Sequence, residues 1–199
     1  MSSYLIGLSG PPRSGKDALG RHLAFEIEHR FGFAPMSIAL SMPLRLMTFA
    51  MIGREYSRHT FERDKDVPLK ELDGASIRQA MIRLSEEHVK PRYGKGHWAR
   101  AALNLRHPTN PRIVIITDMG FPEEVEVLEQ VYGKERCLWL QLARPGHSFA
   151  GDSRSYVGSE DRVVRIDNAT QQADGGAGFF SICAGRICEV IKTERWNFD

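Results

Sequence analysis

Seven residues near the start of the chain have the spacing of a phosphate-binding loop. The run Gly-Pro-Pro-Arg-Ser-Gly-Lys begins at Gly10 and ends at Lys16, and it matches the pattern G-x-x-x-x-G-K. Glycines let the backbone curl so that successive N–H groups face one anion, and the amino end of a following helix adds partial positive charge. Lys16 would add a mobile charge for the β- and γ-phosphates of a nucleotide. Because an apolar run precedes the loop and an amphipathic run follows it, we favour this interpretation over a plain Gly-Pro turn before a helix. The residues predicted to bind ATP through this loop are Gly10, Pro11, Pro12, Arg13, Ser14, Gly15, Lys16, Asp17 and Ala18.

Two acidic residues are candidates to hold Mg²⁺ beside this loop. Asp17 stands where Ser or Thr normally ligates the metal in such loops. Its carboxylate would either bind Mg²⁺, directly or through water, or stabilise the helix N-terminus by its charge, and the sequence leaves both roles open. Asp118 follows the apolar run 113–116 and Thr117, and an acid at the end of such a strand helps to hold Mg²⁺ in P-loop enzymes. An aspartate that merely begins a turn is the alternative, but the phosphate-binding loop favours the metal-binding role.

Strand patterns and helix patterns alternate along the chain. Short apolar runs predict strands at residues 4–8, 37–40, 113–116, 137–142 and 163–166. Amphipathic runs predict helices at residues 16–30, 43–51, 76–88, 98–105, 123–131 and 179–192. This alternation predicts an α/β fold of three layers around a central parallel sheet, as in P-loop kinases. We expect a single domain over residues 1–199, with a charged, irregular excursion at about 52–75 and a polar lid segment at about 144–161.

Composition excludes several classes of protein. Of the 199 residues, 42% are hydrophobic and 26% are charged, as in ordinary globular proteins. The 27 basic and 25 acidic residues nearly balance, so there is no strong basic footprint for nucleic acid. The three cysteines are too few for a disulfide framework, and they predict reduced thiols. With no apolar run long enough for a membrane span and no charged signal-peptide region, we expect a cytoplasmic protein without a membrane partner.

The phosphate-binding loop also carries a family resemblance. Its Arg13-Ser14-Gly15-Lys16-Asp17 resembles the loop of phage deoxynucleoside monophosphate kinases. Later blocks resemble the same family in the same order, namely Ser41 to Arg45, Ile77 to Met81, Trp98, Thr117 to Glu124, Arg144-Pro145-Gly146 and Ile166-Asp167-Asn168. The resemblance therefore spans nearly the whole chain, with a specific loop and individually weaker later blocks.

This resemblance implies transfer of the ATP γ-phosphate to a deoxynucleoside monophosphate, in a host cytoplasm if the chain is phage-encoded. It implies that Arg78 grips the acceptor phosphate and that Arg144 begins a mobile lid. Arginine forks suit phosphate, and a polar segment rich in Gly and Ser suits a lid. For Arg78 the alternative is a solvated helix arginine, and for Trp98 it is plain core packing. The predicted catalytic residues are Lys16, Arg13, Arg144 and Asp118, and the predicted acceptor-binding residues are Arg45, Arg78, Trp98, Asp118 and Glu124.

Three departures from the family pattern concern the substrate. Gly120 stands where the family has an arginine, Ser85-Glu86-Glu87 replaces G-T-E, and no H-x-S-E pattern is evident after Arg144-Pro145-Gly146. One phosphate contact is therefore missing or supplied from elsewhere. An ATP-dependent kinase of a hydroxymethylated base in phage DNA remains an alternative, and so does a nucleotide-binding regulatory module without transfer activity. The small-molecule acceptor is the preferred partner, and a homodimer is left open.

Overall fold

The structure, a computed structural model, describes residues 3–55, 57–105, 111–169, 177–194, 196 and 198. The chain forms two compact units. The first consists of Met1–Ala39 and His107–Asp199, and the second of Leu40–Arg106. The second unit contains the predicted excursion 52–75 and extends beyond it on both sides, and position 56 of that excursion lies outside the described residues.

The first unit is built on a five-stranded sheet whose described strands are all parallel. The strands are β1 (Tyr4–Ser9), β2 (Met36–Ile38), β3 (Ile113–Met119), β4 (Cys137–Ala143) and β5 (Val163–Asp167). Their order across the sheet is β2-β3-β1-β4-β5, which confirms the predicted α/β fold. The first four residues of β3 are completely buried, as expected for a parallel strand covered on both faces. The central strand β1 leads directly into the loop at residues 10–15, so the fold places this loop beside the carboxyl ends of β3 and β4.

Eight α-helices lie within the described residues. They are α1 (Lys16–Phe31), α2 (Met42–Ile52), α3 (Arg58–Asp64), α4 (Ile77–Arg83), α5 (Lys90–Tyr93), α6 (His97–Leu105), α7 (Pro122–Tyr132) and α8 (Ala177–Thr193). In the first unit, α1 and α8 pack together against the sheet, and Leu19, Leu23 and Ile187 lie in the shared core. None of these helices is long and apolar enough to cross a membrane.

The second unit contains helices that the sequence only partly predicts. The excursion at about 52–75 is predicted to be irregular, and this is wrong in part, because α3 and a 3₁₀ turn at Lys70–Leu72 lie there. Ser57 caps α3, since its Oγ accepts a hydrogen bond of 3.1 Å from the N–H of Thr60. Among residues 59–64 of α3, whose side chains the structure describes, Phe61 is the buried one, and a charged helix with one apolar anchor carries too little periodicity to be recognised.

The predicted helix at 76–88 is longer and is interrupted by a π-helical segment. Ser76 and Gln79 form a capping box at the start of α4, and the helical run continues through Leu84–Val89 into α5. At the π-helical segment the Oγ of Ser85 accepts a 2.9 Å hydrogen bond from Nε1 of Trp98 on α6. This bond satisfies the indole N–H of a tryptophan that is only 8% exposed.

Candidate nucleotide-binding site

The loop between β1 and α1 has the backbone conformation of an anion cradle. Arg13 and Gly15 adopt left-handed conformations, with φ of 62° and 102°, and the N–H of Ser14 donates to the carbonyl of Pro11 at 3.2 Å. A Cβ at Gly15 would lie 2.5 Å from the ring of Phe180, so both the conformation and the space require glycine there. The loop ends at the amino end of α1, where backbone N–H groups and the helix dipole favour an anion.

Lys16 lies against the inside of this loop and is only 9% exposed. Its Nζ donates to the carbonyl oxygens of Gly10 at 2.6 Å and Pro11 at 2.8 Å. Burial, followed by the positive charge of Arg154, lowers the pKa of Lys16 from 10.5 to about 8, while Asp17 and other acids act in the opposite direction. The ammonium group is therefore placed at the cradle as the pattern predicted, in surroundings that disfavour a charge without an anionic partner.

Asp17 and the end of β3 are joined by a hydrogen bond. The hydroxyl of Thr117 donates to Oδ1 of Asp17 at 2.7 Å, and Asp118 follows on the same strand, close enough to Lys16 to affect its pKa. Among the described residues, no group of three or more His, Cys, Asp or Glu side chains could hold a metal by itself. Two carboxylates with a hydroxyl nevertheless suit Mg²⁺, which keeps several waters and takes its other ligands from phosphate oxygens. Sequence reasoning missed Thr117, although its place directly before Asp118 was a usable signal.

Two side chains fix the outer turn of the loop. Nη1 of Arg144 donates to the carbonyl of Arg13 at 2.9 Å, and Nδ2 of Asn168 donates to the carbonyl of Ser14 at 3.0 Å. Asn168 is 6% exposed. The sequence marked Asn168 only as part of a resemblance, whereas the structure gives it a contact with the loop. Arg144 was predicted to act on the transferred group, and the structure brings it to the edge of the loop.

Arg154 covers Gly120, the position where the phage kinases that the sequence resembles have an arginine. A Cβ at Gly120 would lie 2.4 Å from Cγ and 2.6 Å from Cβ of Arg154, so no larger residue fits there unless the backbone shifts. The guanidinium is held by Asp152, with Nε 2.9 Å from Oδ1 and Nη2 2.5 Å from Oδ2, and this bonding raises the pKa of Arg154. Sequence reasoning missed this arginine. The usable signal was Gly120 together with an arginine in the polar segment that follows β4.

The later part of the predicted lid is attached to the sheet. The N–H of Val157 donates to Oγ of Ser9 at 3.2 Å, and Nε2 of Gln141 donates to the carbonyl of Val157 at 3.4 Å. Val157 itself is 5% exposed. The closure of residues 144–161 over a ligand stays a prediction.

Glu124 has the contacts of a helix cap. Its Oε2 accepts from the N–H groups of Gly120 at 2.9 Å and Phe121 at 3.0 Å, and the side chain is buried at the start of α7. These bonds fix the turn that carries Gly120 beyond β3. The predicted contact of Glu124 with an acceptor stays a prediction.

The remaining predicted acceptor residues belong to the second unit. Arg78 forms an ion pair with Asp66, with Nε 2.6 Å from Oδ1, and both side chains are substantially exposed. The guanidinium carbon of Arg45 lies 4.4 Å from the centre of the Phe61 ring. Trp98 packs with Leu44, Leu84 and Val89, and its predicted contact with an acceptor stays a prediction. The structure thus brings Lys16, Asp17, Asp118 and Arg144 together in one unit, while an acceptor site around Arg45 and Arg78 stays a prediction.

The sequence matches no protein-family model and no curated protein. Among solved structures, a gluconokinase from Sinorhizobium meliloti 1021 is similar, with 12% identity, a TM-score of 0.45, and coverage of 96% of this chain and 97% of that chain. A shikimate kinase from Acinetobacter baumannii in complex with shikimate has 16% identity, a TM-score of 0.46, and coverage of 98% and 96%. A sugar kinase from Janibacter sp. HTCC2649 has 12% identity, a TM-score of 0.44, and coverage of 96% and 98%. The assignment of the fold rests on the strand order and the loop described above.

Proposed function

We propose that this chain is a P-loop phosphotransferase that uses Mg-ATP and phosphorylates a deoxynucleoside monophosphate to the diphosphate. The observation that carries the proposal is the nearly buried ammonium of Lys16, held inside a left-handed loop at the amino end of α1. Burying an ammonium group is costly, and its hydrogen bonds here go to backbone carbonyls, so phosphate oxygens in this cradle would give it charged acceptors in their place. Phosphoryl transfer needs mainly positioning and neutralisation of the phosphates and little covalent chemistry from the protein. A loop that binds the phosphates in this way can therefore also promote their transfer.

The residues around the loop divide the work of holding a nucleotide. The N–H groups of residues 13–17 would hold the β-phosphate, and Lys16 would turn from the carbonyls of Gly10 and Pro11 toward the β- and γ-oxygens. Asp17, supported by Thr117, and Asp118 would hold Mg²⁺. The bound Mg²⁺ would neutralise charge on the phosphate oxygens.

Arg13 and Arg144 lie at the loop, and we assign both to the transferred phosphoryl group. Arg144 already lies at the loop and would exchange the carbonyl of Arg13 for a phosphate oxygen, and the exposed side chain of Arg13 lies on the same turn. One planar guanidinium group can bind two phosphate oxygens at once, and it stays positively charged at every physiological pH. Their contribution would therefore be greatest as charge redistributes in the transition state.

The transfer step requires no strong general base. An oxygen of the acceptor phosphate forms the new bond to the γ-phosphorus, and the bond from that phosphorus to the β,γ-bridging oxygen breaks. The bonding electron pair leaves with ADP. Because the attacking oxygen is already ionised near neutral pH, the protein only has to position the two phosphates in line and neutralise their charge.

The choice of a free monophosphate rests on the resemblance and on charge. A protein that tracks duplex DNA usually neutralises several backbone phosphates with clustered basic residues, whereas here 27 basic residues face 25 acidic ones. A small anionic acceptor needs only one or two arginines. Arg78 and Arg45 in the second unit are the residues we assign to it.

A phosphotransfer screen tests the proposal. Full-length protein is incubated with γ-labelled ATP, Mg²⁺ and each deoxynucleoside monophosphate in turn, and a parallel reaction contains DNA with hydroxymethyl pyrimidines. We expect label in at least one diphosphate and none in DNA, with the signal lost in Lys16→Ala. Label in DNA alone would replace the acceptor with a modified base. ATP binding without transfer to any acceptor would favour a regulatory module.

A further inference from the structure

Arg154 is the charged residue at the site that the mechanism above leaves unused. Its side chain is 26% exposed and lies over Gly120, immediately beyond the end of β3. Gly120 directly follows Met119, which pairs with Ser9 of β1, and the carbonyl of the next residue, Gly10, accepts a hydrogen bond from Nζ of Lys16 at 2.6 Å. Arg154 and Lys16 therefore lie at the same end of the two central strands, where the phosphate cradle begins.

Two cations that converge in partly buried surroundings indicate an anion site. Like charges repel, and the repulsion grows as water is excluded. Acids do surround the pair, but Asp152 is bonded to Arg154 itself and Glu124 is bonded to the backbone of the turn after β3. The other two, Asp17 and Asp118, are the residues assigned above to Mg²⁺. A phosphate group between Lys16 and Arg154 would be attracted by both cations and would relieve their repulsion.

Asp152 fixes the direction of the Arg154 guanidinium. One carboxylate accepts from both the backbone and the side chain of Arg154, since Oδ1 lies 3.0 Å from its N and 2.9 Å from its Nε, and Oδ2 lies 2.5 Å from its Nη2. These bonds use Nε and Nη2 and involve no hydrogen of Nη1. The N–H of Ser155 also donates to the carbonyl of Gly120 at 2.9 Å, so the backbone next to Arg154 is held at the turn after β3. An arginine oriented this firmly loses little further freedom when it binds a ligand.

We propose that Arg154 binds an oxygen of the same donor phosphate chain that Lys16 contacts, and that Asp152 positions it for this contact. The inference rests on the proposed function, because the donor is taken to be ATP. Arg154 is thereby assigned as a third arginine at the transferred phosphate, beside Arg13 and Arg144. Gly120 is the small residue that gives it room.

The test separates binding of the donor phosphates from turnover. Full-length wild type, Arg154→Gln and Arg154→Lys are titrated calorimetrically with inorganic tripolyphosphate and with Mg-ATP. Lys16→Ala reports on the cradle, and Arg186→Gln, which removes an exposed arginine of α8, is the matched control. We expect Arg154→Gln to weaken both ligands by about 10- to 100-fold, the effect of losing a hydrogen bond between charged groups. The affinities of Arg154→Lys should lie between those of wild type and Arg154→Gln, and the affinities of Arg186→Gln should equal those of wild type.

Three other results would each contradict the inference for a different reason, and a further variant decides if Arg154→Gln does not fold. If Lys16→Ala loses tripolyphosphate while Arg154→Gln binds it like wild type, the cradle stands and the role of Arg154 falls. If Arg154→Gln weakens deoxyadenosine monophosphate instead of tripolyphosphate, Arg154 belongs to the acceptor and the inference is overturned. If wild type binds no tripolyphosphate and no ATP, the proposed function and this inference fail together. If Arg154→Gln does not fold, Arg154→Lys decides, and wild-type affinity in that variant would contradict the inference.

The role of Asp152 is tested by Asp152→Asn. This change keeps the size of the side chain but loses the charge that orients the guanidinium. As a positioning residue, Asp152 should affect the same quantity as Arg154, so Asp152→Asn should weaken tripolyphosphate and Mg-ATP, by less than Arg154→Gln does. A merely structural role would lower the thermal midpoint without changing these affinities. Asp161→Asn, at an exposed acid paired with Lys134, is the control.

Discussion

Lys16 and Arg78 are two cations that the sequence assigns to phosphate, and the structure treats them differently. Lys16 in the first unit is 9% exposed, bonded to backbone carbonyls, and has a lowered pKa. Arg78 in the second unit has a side chain that is 48% exposed and is paired with the carboxylate of Asp66. The phosphate cradle is built by backbone geometry next to a central strand, so it is complete within one short segment. An acceptor contact at Arg78 depends on a side chain that already has an anionic partner.

The difference sets the size of the effects to expect. Exposed ion pairs contribute about 0–1 kcal/mol, because water competes with both partners. Substituting a buried charged residue changes function and stability much more than this, because the groups packed around the charge set its free energy. Substitutions at the loop should therefore change activity by orders of magnitude, and substitutions at the Arg78–Asp66 pair should change it by small factors.

Lys16→Ala should have the largest effect. Loss of the ammonium that meets the β- and γ-phosphates should lower acceptor-dependent ATP consumption by about 100- to 1000-fold. Circular dichroism should show an intact fold, because the variant removes a costly buried charge. Lys192→Ala, at an exposed lysine of α8, is the control. If Lys16→Ala turns over ATP at nearly the wild-type rate, Lys16 does not bind the transferred phosphates, and the expected difference between substitutions at Lys16 and at Arg78 does not exist.

Arg144→Ala should lower kcat by about 10- to 100-fold, with a smaller effect on ATP binding. The side chain donates a hydrogen bond to the carbonyl of Arg13 at the edge of the loop, so its main contribution is expected when charge spreads over the transferred group. Steady-state kinetics together with direct titration of ATP separate the two quantities. If affinity falls and kcat is unchanged, Arg144 is a ground-state contact and does not act on the transition state.

The lowered pKa of Lys16 predicts a pH-dependent stability of the nucleotide-free protein. The pKa is about 8 in the folded chain against an ordinary 10.5, so between these values the unfolded chain binds more protons. The free energy of unfolding should therefore rise with pH through this window, by about 1 kcal/mol between pH 7 and pH 9. Urea denaturation of wild type and Lys16→Met at both pH values measures it, and Lys16→Met should lack this increment.

The comparison with Lys16→Met is needed because other groups titrate nearby. Burial raises the pKa of Cys137 from 9.0 to about 12, so its thiol makes stability fall as pH rises past 9. This contribution is common to both proteins and cancels in the difference. An equal pH dependence in wild type and variant would mean that Lys16 carries no perturbed pKa.

Asp17→Asn should raise the Mg²⁺ concentration required for half-maximal rate several-fold. Asparagine keeps a polar oxygen near the hydroxyl of Thr117 but loses the negative charge that a hard cation prefers. A magnesium titration of the rate measures the shift, with Asp161→Asn as an exposed control. If the magnesium titration is unchanged and the thermal midpoint is lower, Asp17 does not bind Mg²⁺ and only stabilises the N-terminus of α1.

The strands, most helices and the phosphate-binding loop could be predicted because each is written in a local pattern. β1, the loop and the start of α1 follow one another directly, and the turn needs glycine where the pattern has Gly15. The helix α3 was missed because Phe61, the one buried side chain described within it, leaves no hydrophobic period to detect. For Arg154 the sequence offered Gly120 and a polar segment with arginines, but which arginine reaches Gly120 depends on how the segment after β4 returns across the end of β3. The role of Asn168 at the carbonyl of Ser14 depends on the same kind of long-range contact.

Asp66→Asn tests the second unit with the smallest expected effect. If Arg78 grips the acceptor phosphate, the carboxylate of Asp66 competes for the same guanidinium, with 2.6 Å between Arg78 Nε and Oδ1. Removing that charge should lower the KM for the acceptor by about two- to fivefold, the range that corresponds to an exposed ion pair. The KM for ATP should not change, because the donor is assigned to the first unit. Glu62→Gln, which removes the partner of Lys65 in the same unit, controls for a general gain of positive charge. If Asp66→Asn and Glu62→Gln lower the acceptor KM equally, long-range attraction explains the gain; if neither does, the acceptor phosphate binds elsewhere and Arg78 is a solvated surface arginine.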